Sequence, residues 1–259
     1  MNIKIVVATH KKACVPHDDM YLPVLAGSVL HEDLIKEYQP DNEGENISEK
    51  NPYYSELTAL YWAWKNMADA DYIGLVHYRR YFSLKKSKHD IKYVLKKSQV
   101  EKMLGQYDVI VTNKRHYYIE TLASHYGHAN DMEHIEITRK IIGEIASDYV
   151  SDFDVVMKRT SGHLFNMMIM KRDILCDYCE WLFPILFRLE ENVDAKLMTA
   201  YEARYVGRVA ELLLDVWLRH NKIKYKEVPM MQIGDVNWTK KIIGFLGAKF
   251  MGRKYTYSK

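Results

Sequence analysis

Cysteine is scarce and unpatterned in this chain. Cys14, Cys176 and Cys179 are odd in number and make no framework spacing, which fits a reducing compartment rather than a disulfide scaffold. No stretch approaches the roughly 20 consecutive apolar residues of a membrane-spanning helix; the longest runs, such as Trp181 to Phe187, fall far short. Met1 to Thr9 has neither a basic opening nor a long apolar segment, so it reads as a first strand and not as a signal peptide, and a cytoplasmic location is the expectation. The net charge of +3 is too small to argue for a dedicated nucleic-acid binder. Neither a Walker phosphate-loop pattern nor a G-x-G-x-x-G after the first strand occurs, which removes the main support for P-loop and dinucleotide-binding readings. Internal repeats and low-complexity tracts are also missing.

What is present centres on Asn46 to Phe82. Asn51 before Pro52 reads as a helix start, because Asn can cap free amides and Pro tolerates the first helical position. Leu57, Leu60, Tyr61 and Trp64 follow on one helical face. Asp69 to Asp71 ends that helix, and the apolar run Tyr72 to Val76 reads as a central parallel strand. In open α/β sheets ligands bind beyond the carboxyl ends of strands, which is where His77, Tyr78, Arg79, Arg80 and Tyr81 fall.

The same layout recurs along the chain. Ile3 to Thr9 is a strand releasing His10 and Lys11, and Tyr107 to Thr112 a strand releasing Asn113 to His116. Between them Cys14 to Asn46 reads as irregular, with at most a short helix near Leu30 to Tyr38, and a loop of that length is usually functional. Lys85 to Lys97 reads as a solvated basic stretch. Thr121 to Ile145 reads as helical; its His125, His128 and His134 do not share one face and lack an H-E-x-x-H pattern, which argues against zinc. Leu164 to Met170 is a strand carrying Asn166, and Asp173 to Leu189 a helix in which Cys176 and Cys179 sit away from any strand-to-helix turn, against a redox role. Arg204 to His220 is a second clear helix, with Val206, Val209, Ala210, Leu213, Leu214 and Trp217 as its buried stripe and Arg204, Arg208 and Glu211 on its polar side. Ile223 to Val228 is a short strand. From Asn237 to Lys259 bulky apolar residues alternate with lysines and arginines and no acid occurs, a composition compatible with an anionic membrane surface.

Strands alternating with helices, each releasing polar groups at its end, suggest a nucleotide-binding α/β sheet. A diphosphate site would then be built from side chains: Arg79 and Arg80 offer forked donors, and His77 can donate or shuttle a proton. The structural alternative for the arginines is an ion pair with Glu56 or Asp71. Tyr78 and Tyr81 could stack on a base or sugar, or pack in the core.

The residues Asn46-Ile47-Ser48, Asn51, Glu56-Leu57-Thr58, Tyr61-Trp62, Trp64-Lys65-Asn66, Gly74-Leu75 and above all His77-Tyr78-Arg79-Arg80-Tyr81-Phe82 resemble the signature of the HYRRYF-type capsular and exopolysaccharide glycosyltransferases, long catalogued as a domain of unknown function. The likeness extends from Thr9-His10-Lys11 to the helix carrying Ala210-Glu211, and departs at Leu212, where the family usually has Arg. It implies an α/β, GT-A-like nucleotide-sugar-binding sheet flanked by helices with a helical C-terminal part. The chain would form one domain over 1–259: a donor-binding half over 1–120, an acceptor-side half over 121–236 and the basic tail over 237–259.

The implied reaction moves a hexose, galactose-type favoured, from a UDP-sugar to a growing glycan, lipid-linked or oligosaccharide, at the inner membrane face. Implied donor-binding residues are Thr9, His10, Lys11, Asn46, Asn51, Glu56, His77, Tyr78, Arg79 and Arg80, with Asn166, Asp18 and Arg208 on the acceptor side. GT-A enzymes commonly hold a metal through a DxD motif, and His77 to Arg80 carries no carboxylate in that place. Fixed positive charge is therefore expected to meet the departing diphosphate, no cofactor is expected, and a divalent ion, Mn2+ or Mg2+, stays open. An inverting transfer needs a carboxylate base: the candidates are Glu211, Asp154, Asp18 and Glu56. Glu211 ranks first, from its helix position beside Arg208 and the family pattern, with His77 as the second catalytic group. A non-catalytic carbohydrate or nucleotide-binding module, and a single-stranded nucleic-acid binder, are the alternatives from other classes.

Overall fold

The residues of β1 (Ile3–Thr9) alternate between two apolar cores, Ile3, Ile5 and Val7 facing one and Val6 and Ala8 the other. A strand buried on both faces belongs in the middle of a layered α/β structure. The computed structural model, which describes residues 1–34, 36–85 and 89–234, places it there. After β1 come β2 (Tyr21–Leu25), β3 (Gln39–Pro40), α1 (Asn51–Tyr54), α2 (Leu57–Asn66), β4 (Tyr72–His77) and β5 (Arg80–Phe82). Next are α3 (Lys97–Leu104), β6 (Val109–Thr112), β7 (Arg115–His116), α4 (Leu122–Gly127), α5 (Glu133–Ile145), α6 (Val150–Met157) and β8 (Ser161–Gly162). The described chain closes with β9 (Met168–Lys171), α7 (Arg172–Asn192), α8 (Tyr205–His220), β10 (Tyr225–Val228) and β11 (Met230–Gln232).

The main sheet runs β10-β6-β9-β4-β1-β2-β3. β1 pairs parallel with both β2 and β4, while β9 enters antiparallel between β4 and β6. The expected α/β sheet flanked by helices is therefore found, with mixed strand directions. Buried residues of α2, α5, α6, α7 and α8 pack on the face carrying Val6, Ile73, Leu75 and Met168. α3 and the β5–β11 pair close the other face over Val7, Val76 and Ile110. Among the described residues no helix is long and apolar enough to cross a membrane.

Several boundaries differ from the sequence-based expectation, each for a local reason. The helix expected from Asn51 through Trp64 is two helices, because Ser55 turns left-handed with φ 53° between α1 and α2. Asn51 is not the cap; it lies inside α1 and its amide reaches Ser55 O at 2.8 Å. The segment over 14–46, irregular by its sequence, contains β2, whose Pro23 is tolerated because β3 pairs only with Val24 and Leu25. The strand expected over Leu164 to Met170 begins at Met168, the preceding residues forming a strap. The helix expected over Thr121 to Ile145 is split into α4 and α5. The basic tail, 237–259, lies outside the described residues.

Candidate active site

β1, β2 and β4 all end on one edge of the sheet, and the segment His77 to Phe82 folds there as a hairpin: His77 closes β4, Tyr78 and Arg79 form the turn, and Arg80 opens β5 opposite His77. Cross-strand partners project to one face, so His77 and Arg80 share a side. Tyr81 projects the other way, is 0% exposed and packs edge-on to Tyr21 with centroids 5.8 Å apart. It belongs to the core.

His77 is half-buried, and its Nε2 donates to the main-chain oxygen of Phe165 at 2.6 Å. A carbonyl can only accept, so Nε2 carries the proton. Burial first, then Arg80 and Arg204, hold this imidazole below its ordinary pKa against the opposing pull of Glu56. His77 is therefore neutral at pH 7 and not part of the fixed positive charge. Glu56 Oε1 stands 4.0 Å from His77 Nε2 and accepts from Asn166 Nδ2 at 2.8 Å. The same amide reaches Gly207 O at 3.1 Å. Gly207 also lets α8 approach α1, since a Cβ there would lie 3.2 Å from Tyr54 O.

Glu211, one turn further along α8, is half-buried, and its pKa is pushed up to about 7. Burial is the main cause and the charge of Glu56 adds to it; the main-chain amide of Phe165, Arg80 and Arg208 oppose. A carboxyl group raised toward neutrality in this way is a recurring acid–base arrangement. Arg80 lies over the Phe165 ring at 4.3 Å, and its Nε is buried with no hydrogen-bond partner among the described residues. Burial lowers its pKa while Glu211 and Glu56 raise it, and an arginine stays charged through such a shift.

Above this floor the mouth is cationic. The His10 ring meets Tyr78 edge-on at 5.3 Å and His31 at 6.4 Å. Lys11 Nζ and the Arg79 guanidinium lie 5.4 Å and 5.3 Å from the Tyr78 ring centre. His10 is held below its ordinary pKa by burial and then by Lys11, His31, Arg204 and Arg79. Arg204 donates from Nε to Ser55 Oγ at 2.9 Å, tying the start of α8 to the left-handed break before Glu56. Thr9 is buried and its hydroxyl donates to Lys11 O at 2.6 Å, shaping the turn that delivers His10 and Lys11.

Other sequence candidates are placed elsewhere or otherwise engaged. Asn46 knits its own loop, donating to Asn42 O at 3.0 Å and Gly44 O at 2.9 Å. Arg208 turns its guanidinium to Asn130 Oδ1 and Tyr201 O. Asp18 accepts from Lys97 N at 2.9 Å before β2, at the opposite end of the parallel strands from His77, so the structure does not bring it to this site. Asp154 pairs with Arg139 on an exposed surface. Asp71, offered as a partner for the arginines, accepts from Asn2 N before β4. Of the three histidines, His125 and His128 both meet Glu120, at 3.1 Å and 3.0 Å, whereas His134 bonds to Tyr126 OH. No group of three or more acidic, histidine or cysteine side chains among the described residues is arranged to hold a metal ion. Phe165, His31 and Arg204 were not singled out from sequence as site residues. Arg204 was visible as the first cation of a regular helix, but Phe165 acts through its main chain and left no signal.

A family model described as a domain of unknown function, DUF4422, matches residues 4–222. The chain belongs to this family. No curated protein matches it. Among solved structures, the DUF4422 chain is similar to one described as the WbbM bifunctional glycosyltransferase in its apo form, at 25% identity and a TM-score of 0.81. The match covers 91% of this chain and 46% of the other, so the chain spans about half the length of that protein.

Proposed function

We propose that this chain is a glycosyltransferase that uses a nucleoside-diphosphate sugar. The observation that carries the reading is Glu211, a half-buried carboxylate with a pKa near neutrality, set beside Arg80 beneath a mouth of cations at the carboxyl ends of β1 and β4. Likeness over most of its length to a structure described as a glycosyltransferase supports it.

In the proposed step an acceptor hydroxyl oxygen forms a bond to the anomeric carbon as the bond to the diphosphate oxygen breaks. The hydroxyl proton passes to ionised Glu211, and the charge that develops on the diphosphate is met by Arg80, Arg79, Lys11 and Arg204. Preorganised donors of this kind supply much of the stabilisation in such reactions. His77 serves by orientation, its ring fixed by Phe165. This direct displacement inverts the anomeric centre.

The finer reading follows the family resemblance: a UDP-hexose donor, galactose-type favoured, and a lipid-linked or oligosaccharide acceptor of a growing surface glycan. Incubation with a panel of nucleotide sugars, with release of nucleoside diphosphate as readout, tests the reaction class. Slow hydrolysis of at least one donor is expected. Tight donor binding without release from any of them would instead assign a binding module.

A further inference from the structure

Between β8 and β9 the chain passes through a strap in which Phe165 and Asn166 are both left-handed, with φ 72° and 51°. For a side chain as bulky as Phe that conformation is unfavourable and persists only where the surroundings enforce it. The strap connects all the acid–base groups of the site. The Phe165 carbonyl accepts from His77 Nε2, the Asn166 amide reaches Glu56 Oε1 and Gly207 O, and the Phe165 amide faces Glu211.

Its upstream end is gripped by one buried carboxylate. Asp215 accepts the His163 main-chain N–H on Oδ2 and the ring Nδ1–H on Oδ1, both at 2.8 Å. Both side chains are almost fully buried, at 0% and 3% exposed. His163 Nε2 faces Glu227 Oε1 at 3.4 Å, and Glu227 in turn lies 3.8 Å from Lys114. Gly162 makes room for the carboxylate, since a Cβ there would lie 2.9 Å from Asp215 Oδ2. Asp215 stands four residues after Glu211 on α8, on the same helix face. The helix that carries the acid–base carboxylate therefore also anchors the strap whose Phe165 carbonyl holds His77.

We propose that Asp215 is a positioning residue: through His163 it clamps the strap in register with α8, so that the Phe165 main chain holds Glu211 and His77 in their working positions. This rests on the reading of Glu211 as the base. Glu211 is faced by Glu56, by Arg80 from β5, by Arg208 from its own helix and by Tyr117 after β7. All of these are unchanged in the variants below.

The test compares Asp215→Asn, His163→Leu and His163→Asn with the wild type. Asn at 215 offers one acceptor oxygen for two N–H donors, and Leu at 163 removes the ring donor. Asn at 163 keeps a side-chain N–H where Nδ1 stood. Loosening the strap is expected to lower kcat about tenfold or more, as small misplacements of reacting groups do. Donor KM should stay within about twofold, because no donor-contacting residue is substituted. The acid limb of the kcat–pH profile should move to higher pH in Asp215→Asn and His163→Leu, since moving the Phe165 main-chain amide away from Glu211 disfavours its ionised form. His163→Asn should keep the wild-type limb.

A second readout needs no turnover: the carboxyl carbon resonance of Glu211 in 13C-labelled protein, assigned with Glu211→Gln, should titrate higher in the two loosened variants. An unmoved titration in either folded variant overturns the proposal, and His163→Leu decides it should Asp215→Asn not fold. A wild type inactive on every nucleotide sugar, with the titration still moved, overturns the glycosyl-transfer reading and leaves the clamp standing.

Discussion

The amide of Asn166 meets Glu56 Oε1 at 2.8 Å, joining the strap before β9 to the break between α1 and α2, across 110 residues of sequence. Both partners sit at left-handed backbone or directly after it: Asn166 has φ 51°, and Glu56 follows Ser55 at φ 53°. Each unusual turn presents a polar group to the same interior point. A charge introduced on one side is therefore diagnostic.

Asn166→Asp would place a second carboxylate against Glu56 while keeping the size and the backbone preference of the residue. Like charges at that separation disfavour ionisation of both. At near-neutral pH transfer is expected to fall by about tenfold or more, and the deficit relative to wild type at the same pH should narrow on acidification, whereas Asn166→Gly, which suits φ 51° but bonds to neither Glu56 nor Gly207, should show a deficit that does not change with pH. Rates of the two variants across a pH series check this.

Arg80→Ala should lower turnover about a hundredfold, the usual effect of removing one preorganised donor, roughly 3 kcal/mol. Its Phe165 contact is also lost, so some destabilisation accompanies the change. Thermal melting separates the two: a folded variant with near-normal turnover would make Arg80 structural.

Glu211 is expected to cost stability in exchange for function. Its folded pKa of about 7 lies above the ordinary 4.5, so between those values the folded state binds more protons than the unfolded one. Stability from this group therefore falls as pH rises through that window and is fully lost above it. Glu211→Gln should be more stable than wild type by about 1–3 kcal/mol near pH 8 and nearly equal near pH 4. Urea denaturation at both pH values reads the difference.

Transfer should survive chelation, on the proposal that Arg80, Arg79, Lys11 and Arg204 meet the leaving diphosphate. Loss of activity in excess EDTA, restored by manganese, would assign that part to a metal instead.

How much of this was legible in the sequence depends on which atoms carry the role. β1, β4 and α8 follow from apolar pattern alone, because burial on two faces or on one helical stripe leaves a readable period. Side-chain chemistry at strand ends was equally readable, and His77, Arg80, Glu56 and Glu211 do come together. Asn46 and Asn51 show the converse: the amide that suits a ligand also suits a turn, and here both close loops. Asp18 emerged from a stretch whose strand, β2, is short and interrupted by Pro23, so its end of the sheet could not be assigned. Phe165 was invisible, since main-chain atoms do the holding and nothing in a Phe side chain predicts φ 72°.

The proposed chemistry depends above all on Glu211 acting as the base of a glycosyl transfer at this site. That role is read from the rate of nucleoside diphosphate release with acceptor present, followed against pH in wild type and in Glu211→Gln. A wild-type rate that rises with pH through about 7 as Glu211 ionises is expected, with a folded Gln variant slower by about a hundredfold or more across the range. A Gln variant that keeps the wild-type rate and its acid limb would contradict it.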